Sequence, residues 1–430
     1  MTETIGLDFG TSNTVAVSAT GVGGTVPVSF ADGAEAFTSL PTVLSFLDRS
    51  PARGPHPEVG PWAIRQFLES YGDVRFIQSL KSFAASAAFK GTGIYGSRFE
   101  FEDLMATFLK CAFERAGSAF DPASVRLVVG RPVEFAGHSP DEALAMSRYR
   151  AAFEKLGFRD ILFVMEPVGA AFSYAQSLEQ DTTILVADLG GGTTDYSLMR
   201  FETNAGHLSA TPLGRGGIGI AGDTFDYRII DNVVLPKLGK GSSYKSMGKV
   251  LEIPPNLFSN FARWHMLSIF KTSDDFKEMK KLLRYCLDPE KIELFIDLVE
   301  EDQGYPLYKS VSETKARLSC EDGAELTFAP LGKDFRAEVS RQDFERWIAP
   351  DLKKMDKALD ATLEKSGLAE KHIDRVFMTG GTSFVPAVRR QFAERFGEER
   401  ISGGNELTSV ANGLALIGAR EDAGDWALAA

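Results

Sequence analysis

The chain has 430 residues, of which 44% are hydrophobic and 25% are charged, close to the averages of soluble globular proteins. This composition excludes collagen-like, low-complexity and largely disordered chains, and the length predicts two or three lobes rather than one small core. The net charge of −12, from 47 basic and 59 acidic residues, argues against a general nucleic-acid binder, because such a protein needs basic surface to displace counterions.

The sequence also bears on the compartment. The first ten residues, MTETIGLDFG, lack the basic and apolar stretches of a signal peptide, and no apolar run reaches the roughly 18 residues of a membrane span. Three widely spaced cysteines, Cys111, Cys286 and Cys320, fit a reducing environment rather than a disulfide scaffold. These features predict a soluble cytoplasmic protein without a membrane partner.

Two segments, 180 residues apart, resemble each other. Residues 5–17 read IGLDFGTSNTVAV and residues 185–198 read LVADLGGGTTDYSL. The aligned pairs are Asp8 with Asp188, Gly10 with Gly190, and Thr14 with Thr194. In each segment an apolar run, Asp-x-Gly and a renewed alternation predict a β-hairpin with a tight glycine turn. Either hairpin alone could match by chance, but the pair predicts two duplicated α/β lobes.

The remaining elements are predicted around these hairpins. Residues 124–133 read as a buried strand and residues 140–158 as a helix. The helices predicted at 166–178 and 409–420 are rich in small residues, which favours either a close crossing at a lobe interface or plain core packing. Residues 375–396 predict a strand, a Gly-Gly turn and a helix. The turn is either an anion- or ligand-binding site at the helix N-terminus or an ordinary strand-to-helix connection.

Residues 236–310 differ in character from the rest of the chain. The lysine-rich stretch 236–249 predicts a solvated loop, and residues 257–299 predict a helical subdomain. An aromatic and apolar stripe there reads as core rather than as a binding surface. Its members are Phe258, Phe261, Trp264, Leu267 and Phe270.

Two facing Asp-x-Gly hairpins suit a magnesium-bound polyphosphate. Glycines let the backbone approach phosphate closely, and successive amides form an anion-binding nest. Because Asp8 and Asp188 would repel phosphate, we expect a hydrated Mg²⁺ between them, which needs only one or two carboxylates. Hydroxyl groups that add donors to the phosphate oxygens are those of Thr11, Ser12, Thr193 and Thr194.

Hydrolysis of the terminal phosphate requires a water held in line with it, so the protein mainly supplies position and charge. The water-positioning candidates are Glu166, Asp188, Thr193 and Asp195. Two of them have simpler explanations that stay open. Asp195 could cap the turn of its own hairpin, and Glu166 could be an ordinary helix-start carboxylate next to Pro167.

Other chemistries lack their motifs. The five histidines show no paired metal spacing, and the cysteines form no CxxC. Neither a Gly-x-Ser-x-Gly elbow nor a Walker-type Gly-Lys-Ser/Thr occurs. Residues 214–226 contain Gly-x-Gly spacings, but we predict no strand leading directly into them, so a dinucleotide fingerprint is not indicated.

Six motifs in order resemble the ATPase domain of the heat shock protein 70 family, within the actin, hexokinase and heat-shock ATPase superfamily. The resemblance covers nearly the whole chain. The motifs are LDFGTSNT, MEPVGAAFSY, VADLGGGTTDYSL, AGDTFD, KARLS and MTGGTSFVP.

This resemblance implies the site. Residues 8–13 correspond to a first phosphate loop and residues 188–195 to a second, residues 409–419 to the second connecting helix, and Glu166 to the acid that begins the first. The implied catalytic residues are Asp8, Glu166, Asp188, Thr193 and Asp195, with Asp8 and Asp188 at the metal. The implied nucleotide contacts are Gly10, Thr11, Ser12, Asn13, Gly190, Gly191, Gly192, Thr193 and Thr194 around the phosphates, and Gly222, Asp223, Lys315, Ser319, Gly380, Gly381 and Thr382 around the adenosine.

The chain also departs from the family pattern. The stretch VGPWAIRQ (59–66) contains no lysine where the resemblance puts the family's catalytic one, and Lys81 lies outside it, which implies slow turnover or another group. Phe384 and Ala316 replace basic residues that are common near adenosine. After Arg420 only ten residues follow, so the resemblance implies no peptide-binding module.

We therefore expect a two-lobed actin-like α/β ATPase with duplicated ribonuclease H-like lobes, peripheral subdomains and a helical insertion. The predicted lobe I is 1–184, with its peripheral subdomain at 31–99. Lobe II is 185–430, with its helical subdomain at 236–310. ATP or ADP with Mg²⁺ would lie between the lobes of a monomeric, chaperone-like nucleotide switch that acts on an unidentified protein partner. A small-molecule kinase and a polymerising actin-like scaffold are the alternatives.

Overall fold

The computed structural model describes residues 3–19, 24–48, 54–70, 74–117, 122–133, 135, 139–175, 178, 180–204, 207–259, 261, 270–271, 273–301, 303–332, 335–402 and 408–427. Its strands are β1 Glu3–Phe9, β2 Asn13–Ala19, β3 Thr25–Pro27, β4 Phe30–Asp32, β5 Glu35–Phe37, β6 Leu40–Pro41, β7 Val43–Asp48, β8 Pro55–Val59, β9 Val74–Gln78, β10 Thr92–Ile94, β11 Ser97–Phe99, β12 Val125–Arg131, β13 Asp160–Met165, β14 Thr182–Leu189, β15 Thr194–Asn204, β16 His207–Ile218, β17 Ser243–Ser246, β18 Lys249–Glu252, β19 Gly323–Thr327, β20 Arg336–Ser340, β21 Arg375–Thr379 and β22 Ile401–Ser402.

The helices of the described residues are α1 Gly60–Glu69, α2 Phe101–Arg115, α3 Glu142–Lys155, α4 Glu166–Ala175, α5 Gly222–Ile229, α6 Asn256–Ser259, α7 Asp274–Leu282, α8 Pro289–Glu300, α9 Gly304–Cys320, α10 Arg341–Ser366, α11 Pro386–Phe396 and α12 Ser409–Gly418. Every strand and helix predicted outside the 236–310 region is present, with ends that differ by a few residues. Within the described part of the chain, no helix combines the length and apolarity that crossing a bilayer requires.

Two large sheets share one topology. The first sheet has the order β13-β12-β1-β2-β3, with β6 also paired to β2, and the second has the order β16-β15-β14-β21-β22. In both, the first strand pairs antiparallel with the second and parallel with the fourth. The near-continuous apolar runs of β1 and β14 are buried, as strands in the middle of a covered sheet should be.

The two hairpins match residue by residue. Asp8 lies opposite Val15 in one, and Asp188 lies opposite Asp195 in the other, at the same offset of 180 residues. The turns are closed by equivalent bonds, because the Gly10 amide donates to the Asn13 carbonyl at 2.9 Å and the Gly190 amide to the Thr193 carbonyl at 3.1 Å. Burial also follows the same pattern from 4–14 to 184–194. The predicted duplication of the hairpins is confirmed.

The small residues of α4 and α12 serve a helix crossing. A Cβ placed on Gly413 would collide with the backbone carbonyl of Gly169, and one on Gly6 of β1 would collide with the Ala411 carbonyl of α12. Only glycine allows backbones to approach this closely. The close crossing is therefore observed, within the first unit and inside a buried apolar cluster, and its place at a lobe interface stays a prediction.

The described chain forms two compact units. The first comprises Met1–Ile218, Ala358–Ser383 and Phe392–Ala430, and the second comprises Gly219–Lys357 and Phe384–Gln391. Both large sheets lie in the first unit. The residue limits predicted for the two lobes differ from the limits of these units. The predicted lobe limits stay a prediction.

Two predictions for the second unit need correction. Part of the expected loop 236–249 is a β-hairpin, β17–β18, whose turn residues Met247 and Gly248 have positive φ values of 47° and 77°. A strand, β16, does end four residues before α5, contrary to the expectation for 214–226. The aromatic residues Phe258, Phe261 and Phe270 are buried as predicted. The two other predicted members, Trp264 and Leu267, lie outside the described residues.

Candidate active site

Asp8 and Asp188 lie at equivalent positions near the ends of β1 and β14, within the first unit. Both are partly exposed, whereas the residues that follow them, Phe9 and Leu189, are completely buried. Each carboxylate is therefore fixed by a buried strand just before the backbone turns. Their charges, together with that of Glu166, act on one another.

Glu166 begins α4 and forms a buried ion pair. Its Oε1 accepts a hydrogen bond from the Lys81 Nζ at 2.6 Å, and both side chains are only 10% exposed. The carboxylate approaches the end of β12, since a Cβ on Gly130 would lie 3.0 Å from the Glu166 Cγ. A lysine therefore does reach this acid, from a segment other than 59–66, where the sequence analysis found none.

The backbone before Lys81 explains how that lysine arrives. Strand β9 ends at Gln78, and Ser79 then adopts a left-handed conformation with φ of 53° before the 3₁₀ turn Leu80–Phe83. A non-glycine residue in this conformation is uncommon, and the surrounding structure must hold it. No motif marks this turn, so only the presence of a lysine in this segment could have pointed to it.

The cluster is short of positive charge. Burial, and then the negative charge of Glu166, raise the pKa of Asp188 to about 8 and also raise the pKa of Asp8. Burial opposes the charge of Lys81, but the neighbouring groups, Glu166 first and then Tyr149 and Asp8, together raise the pKa of the lysine. Three carboxyl groups thus share one ammonium group in a poorly solvated place.

This charge imbalance fits a divalent cation. Among the described residues no group of three or more histidine, cysteine, aspartate or glutamate side chains forms a ready-made metal cage. Mg²⁺ does not need one, because it keeps several waters and binds through one or two carboxylates plus phosphate oxygens. Asp8 and Asp188 have the required chemistry, and a cation beside them would favour their charged forms.

The sequence reasoning missed Tyr149 of α3. Its side chain is completely buried, with rings of Phe9 and Phe135 packed edge-on at 6.1 and 5.7 Å and Phe101 stacked at 6.1 Å. Its hydroxyl has no hydrogen-bond partner within the described chain. Burial raises the pKa of this phenol, and the charges of Lys81 and Glu166 also reach it. An aromatic residue at helical spacing gave no reason to expect a polar role.

Asp195 has a local partner. Its Oδ2 accepts a hydrogen bond from the Thr193 hydroxyl at 2.8 Å, so the acid does brace its own turn. Its charge nevertheless contributes to the raised pKa of Asp188. Capping and a role in the charge cluster are therefore compatible for this residue.

The predicted phosphate-loop residues differ in exposure. Gly10, Thr11, Ser12, Gly190, Gly191 and Gly192 are partly exposed, and Asn13 and Thr193 are exposed. Thr194 is completely buried. A surface of backbone amides and hydroxyls therefore lies at each turn tip, and the individual contacts to phosphate stay predictions.

The loop at Gly380 packs against the second hairpin. Gly380 has φ of 83°, and a Cβ there would overlap the Leu189 carbonyl and lie 3.1 Å from the Asp188 Oδ1. The Thr382 hydroxyl donates to the Gly190 carbonyl at 2.6 Å. Glycine is thus required at position 380 because the loop passes directly over Asp188. Gly381 follows it without such crowding.

Four of the predicted adenosine contacts lie in the second unit. The Lys315 Nζ donates to the Gly222 carbonyl at 3.0 Å and to the Asp226 Oδ2 at 2.8 Å. Asp223 adjoins this group, and the Ser319 hydroxyl lies 3.5 Å from the Lys315 carbonyl. Lys315 therefore binds Gly222 directly and also binds Asp226, which the sequence reasoning did not name.

The family model described as "Hsp70 protein" matches residues 150–241 and 273–423, which is more than half of the chain. These segments contain Glu166, the second hairpin and the Gly380 loop.

Curated relatives match nearly the full chain at low identity. A "Chaperone protein HscA homolog" from Shewanella putrefaciens is 23% identical over 96% of this chain and 57% of its own length. Proteins named "Chaperone protein DnaK" from Thermus thermophilus and Deinococcus proteolyticus are each 24% identical over 97% of this chain, covering 60% and 59% of their own lengths. The chain thus spans about three fifths of the length of the curated relatives it matches.

Proposed function

The chain belongs to the Hsp70 family, and from this premise we propose that it binds ATP with Mg²⁺ at the two duplicated hairpins and hydrolyses it to ADP and phosphate. The two-lobed α/β fold class predicted from the motifs is confirmed by the family match and by the two sheets of equal topology.

The convergence of Asp8, Glu166, Asp188 and Lys81 carries the proposal. Four charged groups from four separate segments interact where the two glycine turns lie, and carboxyl groups with pKa values raised in this way cluster at functional sites. Because the carboxylates outnumber the ammonium group, a cation would balance the charge. The exposed amides and hydroxyls of the turns are hydrogen-bond donors that suit an anion. A metal-bound polyphosphate supplies both.

The residues would divide the work as follows. Asp8 and Asp188 would hold the metal through its water shell, and the tips of the two turns would hold phosphate oxygens. Glu166 would accept a hydrogen bond from the attacking water, while Lys81 holds the Glu166 carboxylate in place and offers its ammonium group to the phosphate. The bound Mg²⁺ would supply neutralisation of the phosphate charge.

A chaperone-like role is the finer part of the proposal. The curated relatives are named as chaperones, and we extend that role to this chain as a nucleotide switch. The crossing of α4, which begins with Glu166, and α12 supplies a structural link, because a shift of Glu166 on nucleotide binding would move α4 against its neighbour. A cytoplasmic monomer that acts on a protein partner remains part of the proposal.

Phosphate release by the purified protein tests the proposal. We expect ATP turnover that needs Mg²⁺ and is lost in Asp8→Asn and Asp188→Asn. A matched control is Asp48→Asn, which removes an exposed carboxylate at the end of β7 and should leave turnover unchanged. Equal phosphate release from all four proteins would reject the proposed site. ATP-dependent transfer to a small acceptor would favour a kinase, and ATP-dependent sedimentation would favour a scaffold.

A further inference from the structure

Arg148 of α3 forms hydrogen bonds with the chain segment that follows Lys81. Its Nη1 donates to the carbonyls of Ala84 at 2.8 Å and of Phe83 and Ser86 at 3.1 Å, and its Nη2 donates to the Phe89 carbonyl at 2.7 Å. A single guanidinium group therefore donates to four backbone carbonyls within seven consecutive residues.

Only an arginine matches this arrangement. The guanidinium is planar and carries five donors in a fixed fork, whereas an ammonium is a point charge with three donors. The side chain is partly buried, and its guanidinium lies 5.7 Å from the centre of the Phe101 ring. A hydrogen bond from the Asp141 amide to the Ala85 carbonyl, at 3.0 Å, ties the same loop to the start of α3.

The loop that Arg148 binds fixes the position of Lys81. Its first carbonyl belongs to Phe83, the last residue of the 3₁₀ turn that carries Lys81. On the other side of the turn, Ser79 is held in its left-handed conformation. The turn therefore has one irregular end and one end anchored by Arg148, and the 2.6 Å bond from Lys81 to Glu166 depends on both ends staying in place.

We propose that Arg148 is a positioning residue for ATP hydrolysis, which acts by holding the Lys81 turn so that the ammonium group meets Glu166. The inference rests on the proposed function, because it assigns Lys81 and Glu166 to the reacting centre. Arg148 itself has no contact with substrate in this scheme. A misplacement of about 1 Å in such a group can lower turnover about a hundredfold.

A double-mutant cycle on kcat tests the inference. We expect Arg148→Ala to lower kcat about tenfold or more with little change in the KM for ATP. We expect it to have less than about a twofold effect in a Lys81→Gln background, where the ammonium is already gone. The amide of Lys81→Gln keeps a donor for Glu166. Arg150→Ala is the matched control, since this arginine of the same helix lies over the Phe163 ring, 5.4 Å from its centre.

Each outcome has a distinct meaning. Equal losses of kcat in the wild-type and Lys81→Gln backgrounds would show that Arg148 acts independently of Lys81 and would overturn the inference. An unchanged kcat in Arg148→Ala, with turnover present in the wild type, would overturn it while leaving the proposed function intact. No ATP turnover by the wild type would overturn both. If Arg148→Ala does not fold, Arg148→Lys, which keeps the charge and loses the fork, takes its place in the same cycle.

Discussion

The two hairpins have the same backbone and different chemical surroundings. In the first, Val15 lies opposite Asp8, and the charges that act on this acid come from Glu166 and then Lys81, far away in sequence. In the second, Asp195 lies opposite Asp188 and accepts a hydrogen bond from Thr193. Glu166 and Lys81 also act on Asp188, and Asp195 of the same hairpin adds a further negative charge. The two hairpins are thus equal frames for an acidic residue that differ in one local charge.

The largest effect should come from Lys81, whose charge acts on the acids of both hairpins. Lys81→Ala would leave Glu166 buried without its partner, and removing one member of a buried ion pair costs about 3–5 kcal/mol. We expect a fall of this size in the free energy of unfolding, measured by urea denaturation, and a large reduction in turnover, measured by phosphate release. A change below about 1 kcal/mol would mean that the pair is not buried in solution.

The turns should differ in their tolerance of a methyl group. A Cβ on Gly10 would overlap the Asn13 carbonyl, whereas one on Gly190 would lie 3.5 Å from the Thr193 carbonyl, an ordinary contact. Overpacking of this kind costs about 1–3 kcal/mol. We therefore expect Gly10→Ala to lower the melting temperature clearly and Gly190→Ala to lower it little. Equal effects would contradict the difference between the two turns.

The metal-free protein should become less stable as pH rises. Because burial raises the pKa of Asp188 from its unfolded value near 3.8 to about 8, the folded state holds this proton more tightly than the unfolded state does. The resulting stabilisation is complete below pH 4 and is lost as pH rises towards 8. Urea denaturation in EDTA should show this decline, and Asp188→Asn should make it shallower, while the raised pKa of Asp8 keeps part of it. An equally steep decline in the variant would contradict the assignment.

Tyr149 packs only beside the first hairpin, against Phe9. Its buried hydroxyl has no partner within the described chain, and such a group costs about 1–3 kcal/mol when it stays unsatisfied. Tyr149→Phe should therefore leave the melting temperature of the nucleotide-free protein equal to or above that of the wild type. A drop of several degrees would show that the hydroxyl has a partner in the folded protein.

The smallest effect should come from the acid that distinguishes the second hairpin. Asp195→Val would make the second hairpin resemble the first at this position, and the exposed bond to Thr193 contributes less than about 1 kcal/mol. Stability should change little, and the pKa of Asp188 should fall because one neighbouring negative charge is gone. An NMR titration of the carboxyl carbons measures the pKa of Asp188. An unchanged pKa would show that the charge of Asp195 does not act on Asp188.

The fold was predictable where local sequence fixed local structure. Apolar runs followed by Asp-x-Gly gave both hairpins, and small residues gave the crossing of α4 and α12, because a turn and a close approach each demand particular residues. Lys81 was not predictable, since its place depends on a left-handed Ser79 and on a loop held by Arg148 from another element. The β17–β18 hairpin was missed because its turn uses Met247, which rarely adopts a positive φ.

One metal nucleotide should be held jointly by Asp8 and Asp188. The sharpest test is a calorimetric titration of Mg²⁺-ATP into the wild type, Asp8→Asn, Asp188→Asn and the double variant. We expect each single substitution to weaken binding nearly as much as both together, because the two acids serve one cation. Losses that add independently, or single variants with wild-type affinity, would contradict it.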